Sequence, residues 1–313
     1  MSREGVVHMA LAAFYTEYGD SDVLQVSELP VPEPGPGEVQ VRVSYASVNP
    51  VDIKIRTGML GDGGPLQGTT ITGMDVAGTV ERVGAGVTGF SPGDRVAGLS
   101  PNGAAAELVN TYAATLVQVP DSVDLRVAST IGVGGGTAVR ALGLTGVSRG
   151  DTILVDGASG GVGTFLTQLA IARGATVVGT VSQANHAHLR ELGVVPIEYG
   201  EGWQARAQAA TDRPFDAAFD LVTGGKFTDL RALSSETAPI ATLVDPEVPE
   251  QGGILVTGME PGFEHALQEV MDAIADGGLR VPIAREFPLS EIAAAQDLVA
   301  GGHTRGKVIV SVA

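Results

Sequence analysis

The sequence predicts an α/β protein in two parts: a doubly wound parallel-sheet domain and a mostly antiparallel β domain. Three observations carry this. The first ~125 residues read as short strands with period-2 alternation, broken by proline and glycine turns. From Asp151 onward, short apolar strands alternate with helical patterns, which implies buried parallel strands with helical crossovers. At the junction, one strand runs into a glycine-rich turn that opens a helix. The chain has 313 residues, and at roughly 100–200 residues per domain two domains fit.

In the β-rich part, Val23-Leu24-Gln25-Val26 and Val39-Gln40-Val41-Arg42-Val43 alternate as strands. The loop Pro30 to Gly37 between them cannot be helical. Val76–Val80 and Arg95–Gly98 follow, bounded by turns at Gly84-Ala85-Gly86 and Ser91-Pro92-Gly93-Asp94. In the second part the predicted strands are Thr152–Val155, Thr176–Val181, Phe215–Val222, Ile240–Val244 and Ile254–Thr257. Val162, Phe165, Leu166 and Leu169 form an i, i+3, i+4, i+7 stripe and predict the first crossover helix. Helices from about Phe263 to Ala275 and Leu289 to Ala300 precede a last strand, Lys307–Val312, expected to return to the first domain.

Composition excludes several functions. There are no cysteines, which removes disulfides, cysteine nucleophiles and thiolate metal ligands together. The formal charge is 19 − 36 = −17, and so acidic a surface repels phosphate backbones, so no nucleic-acid partner is expected. Neither an apolar run of ~20 residues nor a cationic, signal-like start is present, so no membrane association and a cytoplasmic location are expected.

The sharpest motif is Thr152-Ile-Leu-Val-Asp-Gly157-Ala-Ser159-Gly160-Gly161-Val162-Gly163. In a strand–turn–helix setting such glycines permit a tight turn, close approach of backbone to a pyrophosphate, and close helix–strand packing. Free N–H groups at the helix start favour an anion. A dinucleotide site is therefore predicted. Sites selective for NAD place an acid at the end of the second strand, against the ribose 2′-hydroxyl. Here no Asp or Glu stands between Asp156 and Glu191. The second strand ends at Val181-Ser182-Gln183, with Asn185 and Arg190 beyond it. Ser182 and Asn185 can donate hydrogen bonds to a 2′-phosphate, so NADPH is the predicted cofactor.

Three stretches carry a family resemblance. They are Ala46-Ser-Val-Asn49-Pro-Val-Asp52-Ile-Lys54-Ile-Arg-Thr-Gly58, Gly73-Met-Asp75-Val-Ala-Gly78 through Gly93-Asp-Arg-Val96, and the glycine turn. Asp220-Leu-Val-Thr-Gly-Gly225 and Arg305-Gly-Lys307-Val308 agree in order. The chain resembles the zinc-independent medium-chain dehydrogenase/reductases, in their quinone oxidoreductase and enoyl reductase branch. The resemblance implies a GroES-like substrate domain formed by residues 1–126 and a returning segment, 259–313, with a Rossmann domain at 127–258. It implies NADPH between the domains and hydride transfer to a quinone or an α,β-unsaturated carbonyl. It also implies a homodimer paired through the last Rossmann strand, near Ile254–Thr257.

Residue by residue, the resemblance puts Asn49 and Asp52 beside the nicotinamide. It also puts Thr137 at the entry to the cofactor domain, Tyr199 near the adenosine phosphate, and Lys307 adjacent to the cofactor. Asn49, Lys54 and Tyr45 can each donate to a developing oxyanion. Equally, Asn49 can set a turn, Asp52 can cap the following helix, Lys54 can be solvated and Tyr45 can belong to the core.

One departure is Val133-Gly-Gly-Gly136-Thr137-Ala-Val139, where relatives carry a leucine and a tyrosine. If that run lines the nicotinamide, the glycine predicts a wider pocket and a bulky or polycyclic substrate. Another is Met59-Leu60-Gly61, where relatives often have a tyrosine. These departures keep open a non-redox NADPH-binding protein: a cyclase, a structural protein or a sensor. No catalytic metal is expected, because Gly73-Met74-Asp75 lacks the histidine of zinc relatives. Short-chain dehydrogenases are excluded, since no tyrosine has a lysine four residues on.

Overall fold

The computed structural model describes residues 8–61, 63–222, 224–258 and 260–312. Its strands are β1 (His8–Tyr15), β2 (Gln25–Val31), β3 (Glu38–Val48), β4 (Thr70–Ile71), β5 (Asp75–Val83), β6 (Arg95–Leu99), β7 (Leu108–Tyr112), β8 (Leu116–Gln118), β9 (Thr152–Asp156), β10 (Thr176–Val181), β11 (Val195–Glu198), β12 (Ala217–Asp220), β13 (Ile240–Thr242), β14 (Ile254–Leu255), β15 (Ile283–Pro288) and β16 (Lys307–Ser311). Its helices are α1 (Pro50–Arg56), α2 (Leu125–Ala128), α3 (Gly136–Thr145), α4 (Gly163–Ala172), α5 (His186–Glu191), α6 (Trp203–Ala209), α7 (Phe227–Leu233), α8 (Ala266–Ala275) and α9 (Ile292–Ala300). Two compact units result: residues up to Val133 together with Pro282 onward, and Gly134–Val281.

The first unit holds a seven-stranded sheet in the order β15-β16-β3-β5-β6-β8, with β7 also on β3, and a three-stranded sheet, β2-β1-β4. All pairings except β15–β16 are antiparallel. This is the GroES-like half of the fold. In β3, Val39, Val41 and Val43 are buried and Arg42 is exposed, while Gln40 on the opposite face is buried through hydrogen bonds to the Pro32 carbonyl and Asn110. The β3 valines join Val76, Val80, Val96, Val308 and Val310 in one core, so the returning strand β16 supplies part of the wall that β3 needs.

The second unit is a six-stranded parallel sheet in the order β11-β10-β9-β12-β13-β14. Counted within the unit this is 3-2-1-4-5-6, the Rossmann order, and its switch point falls between β9 and β12. Ligands of such sheets sit beyond the carboxyl ends of the strands at that point. Leu154, Val178, Ala218, Ile240, Phe215 and Leu230 form the core on one face.

Several bounds differ from expectation. Ser21–Val23 is a short 3₁₀ turn, and the strand starts at Gln25. The fourth Rossmann strand is only Ala217–Asp220, and Phe215 makes a lone bridge to Ser234 instead. The crossover helix starts at Gly163, so Gly160 lies in the turn before it. β1, β4, β7, β8, β11 and β15 fall outside the strands expected from the sequence. The first compact unit runs past residue 126 to Val133, and the second takes in α8 up to Val281.

Candidate functional site

In the second unit, β9 delivers Gly157 into the turn with φ +86°, a backbone shape that favours glycine. A Cβ on Gly163 would overlap the Gly157 carbonyl oxygen, so the turn closes onto the helix start only with glycine there. A Cβ on Gly160 would meet only the Gly157 oxygen, at 3.4 Å. Apart from its chain neighbours, no other protein atom among the described residues lies within 4 Å of that point, and Ser159, Gly160, Gly161 and Val162 complete the turn that leads into α4.

The turn rests on a buried polar cluster. Thr180 Oγ1 accepts the Gly157 N–H at 3.0 Å and donates to Asp156 Oδ1 at 2.5 Å. Lys226 Nζ reaches both Asp156 oxygens, at 3.0 and 2.8 Å. Asp220 lies in register with Asp156 on the adjacent strand and is 0% exposed. Neither of its oxygens has a hydrogen bond of ordinary geometry, although the Val222 and Lys226 amides face it loosely. Burial first, then the neighbouring Asp156 charge, pushes the Asp220 pKa up to about 6. Beyond β10, Asn185 Nδ2 donates to Ser182 Oγ at 3.3 Å, so these two predicted donors stand together. Tyr199 is on an exposed loop after β11. Thr137 is half-buried on α3.

In the first unit, Asn49 caps α1 and forms a reciprocal box with Asp52, whose Oδ2 accepts the Asn49 N–H at 2.7 Å. The Asn49 side chain is fully engaged within the unit. Its Nδ2 donates to Asp75 Oδ2 at 2.9 Å and reaches the Ser47 carbonyl at 3.5 Å, and its Oδ1 accepts from Lys307. Ser47 Oγ donates to Asp75 Oδ2 at 2.6 Å, and the Val133 N–H donates to Asp75 Oδ1 at 2.6 Å. Asn49, Asp52, Asp75 and Lys307 are all 3% exposed or less. Burial, above all, pushes the Asp52 pKa up to about 7. The Asn49 N–H and Lys307 oppose this, and Asp75 reinforces it. Lys54 is half-buried on α1, and its ammonium has no hydrogen bond or ion pair among the described residues. Tyr45 is half-buried, with the Arg126 guanidinium 5.7 Å from its ring centre.

The structure thus gathers Asn49, Asp52 and Lys307 into one cluster, with Tyr45 and Lys54 outside its hydrogen bonds. The sequence reading missed Asp75 as the hub, and missed Asp156, Thr180 and Lys226. An acid in an otherwise apolar strand, Ile153-Leu154-Val155-Asp156, was the available signal. A Cβ on Gly136 would lie 2.9 Å from the Arg140 guanidinium and 3.3 Å from Leu267, the two side chains nearest that position. Among the described residues no three His, Cys, Asp or Glu side chains group to hold a metal. No helix among them is long and apolar enough to cross a membrane.

A Rossmann sheet with a glycine turn at its switch point, in one chain with a GroES-like unit, defines a dehydrogenase/reductase. Residues 35–121 match the alcohol dehydrogenase GroES-like domain family, and 192–310 the zinc-binding dehydrogenase family. The chain is 32% identical to a Pseudomonas aeruginosa quinone oxidoreductase, covering 96% of this chain and 99% of that protein. A 2-haloacrylate reductase of a Burkholderia species is 30% identical, over 96% and 99% respectively. A mycobacterial structure solved in complex with NADPH superposes with a TM-score of 0.84, at 32% identity over 96% and 99%. The chain belongs to the zinc-independent medium-chain dehydrogenase/reductases, in the quinone oxidoreductase and enoyl reductase branch, and is an oxidoreductase.

Proposed function

We propose that this protein is an NADPH-dependent reductase that transfers hydride to a quinone. The observation that carries the reading is the glycine turn at the Rossmann switch point, open at Gly160 and closed onto α4 at Gly163. Its residues fit a pyrophosphate: Gly157, Ser159, Gly160, Gly161, Val162 and Gly163 would hold it through backbone amides. Ser182 and Asn185 would hold the 2′-phosphate, where a carboxylate would repel it. Thr137 and Tyr199 are proposed cofactor neighbours, resting on the resemblance alone. When bound, NADPH supplies the hydride.

The state of Asn49 bears on the acceptor. Its amide hydrogens are directed to Asp75 and Ser47, and the residue is 2% exposed. It orders the start of α1 and has no hydrogen left for a substrate oxygen. An enone needs a proton on carbon as well as the hydride, whereas a reduced quinone anion takes its proton from water. The engaged amide withdraws a hydrogen-bond donor from the oxyanion of either acceptor, and the quinone reading is supported by the quinone oxidoreductases among the relatives. Lys54, the unpaired cation on α1, is the proposed group facing the developing anion. The same engaged amide is what favours the second reading, an NADPH-binding protein without redox turnover. We propose a homodimer joined along β14, which is the outer strand of its sheet and is paired on one side only.

Loss of NADPH absorbance at 340 nm decides among these readings, using a panel of simple and polycyclic quinones, enones and 2-haloacrylate. Turnover with quinones and little with enones is expected. Tight NADPH binding with no acceptor consumed favours the non-redox reading, and turnover confined to enones overturns the quinone assignment. Sedimentation velocity tests the dimer.

A further inference from the structure

We infer that Lys226 is a positioning residue for the cofactor turn, acting on the Gly157 amide through Asp156 and Thr180. The inference rests on the proposal that this turn holds NADPH. Asp156 is the last residue of β9 and is 1% exposed. On one side it neighbours Thr180 of β10, and on the other, in register, Asp220 of β12. A carboxylate there can face several ways. Lys226, at the start of α7, removes that freedom by reaching both oxygens. With Asp156 fixed, the Thr180 hydroxyl has one acceptor for its hydrogen, so its lone pair points at the Gly157 N–H. That hydrogen bond fixes the first residue of the turn, and with it the amides that follow.

Lys226 has a second partner, the Trp203 ring, with Nζ 5.3 Å from the ring centre. The ring adds a cation–π contact to the ion pair with Asp156. The arrangement also explains how two carboxylates tolerate burial on adjacent strands. Lys226 pairs with Asp156, and burial beside that pair pushes the Asp220 carboxyl up to about 6. The lysine side chain is a quarter exposed, so it joins the buried cluster from the solvent edge.

The test uses the full-length protein and two ligands, NADPH and 2′-AMP. The second carries the 2′-phosphate but no pyrophosphate for the turn. In titration calorimetry, Lys226→Met and Thr180→Val are each expected to weaken NADPH about five- to tenfold, the loss of one aligned hydrogen bond. 2′-AMP binding is expected to stay unchanged, and Lys226→Arg to restore NADPH affinity. The double variant is expected to be no weaker than either single one, because both break the same chain of contacts.

Thr180→Val keeps the lysine–aspartate pair and serves if Lys226→Met does not fold. Hydrogen exchange of the Gly157 amide without cofactor is expected to speed up in each variant. Equal weakening of both ligands, effects that multiply in the double variant, or unchanged Gly157 exchange would each overturn the inference. A wild-type protein that binds 2′-AMP but not NADPH overturns the cofactor reading of the turn and this inference with it. Normal wild-type binding with unaffected variants overturns the inference alone.

Discussion

Replacing Asp52 by Asn should make the first unit more stable at pH 8 than at pH 5, relative to wild type. Asp52 is 3% exposed, its Oδ1 has no hydrogen-bond partner, and burial pushes its folded pKa up to about 7 from an ordinary 3.8. A carboxyl with a raised folded pKa keeps its proton in the fold where the unfolded chain has lost it. Stability therefore falls as pH rises from the unfolded value through the folded one, and levels off above it. From pH 5 to the folded value is two pH units, about 2.7 kcal/mol at 1.36 kcal/mol per unit for an isolated group. Lys307 shares the charge, which makes that figure a ceiling. Asparagine keeps an oxygen for the Asn49 N–H, so the helix cap survives. Urea unfolding followed by circular dichroism at both pH values gives the difference. The variant's stability relative to wild type should rise by about 1–2.5 kcal/mol between pH 5 and pH 8. A difference that stays constant within about 0.5 kcal/mol would show that Asp52 keeps an ordinary pKa in the fold.

Other perturbations follow from the same geometry. Gly163→Ala places a methyl onto the Gly157 carbonyl, and should weaken NADPH at least tenfold by calorimetry while costing about 1–3 kcal/mol in urea melts. Lys307→Met leaves Asp75 buried with no cation against it, and should cost about 3–5 kcal/mol of stability, read as a drop in melting temperature. Ser182→Asp puts a carboxylate where the 2′-phosphate is proposed to sit, so the ratio of NADPH to NADH dissociation constants should reverse in favour of NADH.

Much of this was legible along the chain because the governing interactions are local. The turn from Gly157 to Gly163 couples a strand, a backbone constraint and a helix start within seven residues, and each leaves its mark in residue type. The alternation of Val39, Val41 and Val43 reports one buried face for the same reason. Strand ends were less legible. Whether Phe215 or Leu221 continues β12 depends on the pairing partner on β13, which is set far away in sequence. Nor does the absent side chain at Gly136 say which neighbour approaches its place, here Arg140.

The sequence by itself determined the two-part architecture, the dinucleotide turn, the missing acid after β10 and the lack of thiol chemistry, since periodicity, backbone freedom and side-chain chemistry are properties of single residues and short windows. Only the tertiary structure decided that Asp75 gathers Ser47, Asn49, Val133 and Lys307, and that Lys226 reaches Asp156 across 70 residues. Burial and hydrogen-bond partnership arise from elements that meet after folding, and those two properties turned Asn49 from a predicted donor into an internally bonded cap.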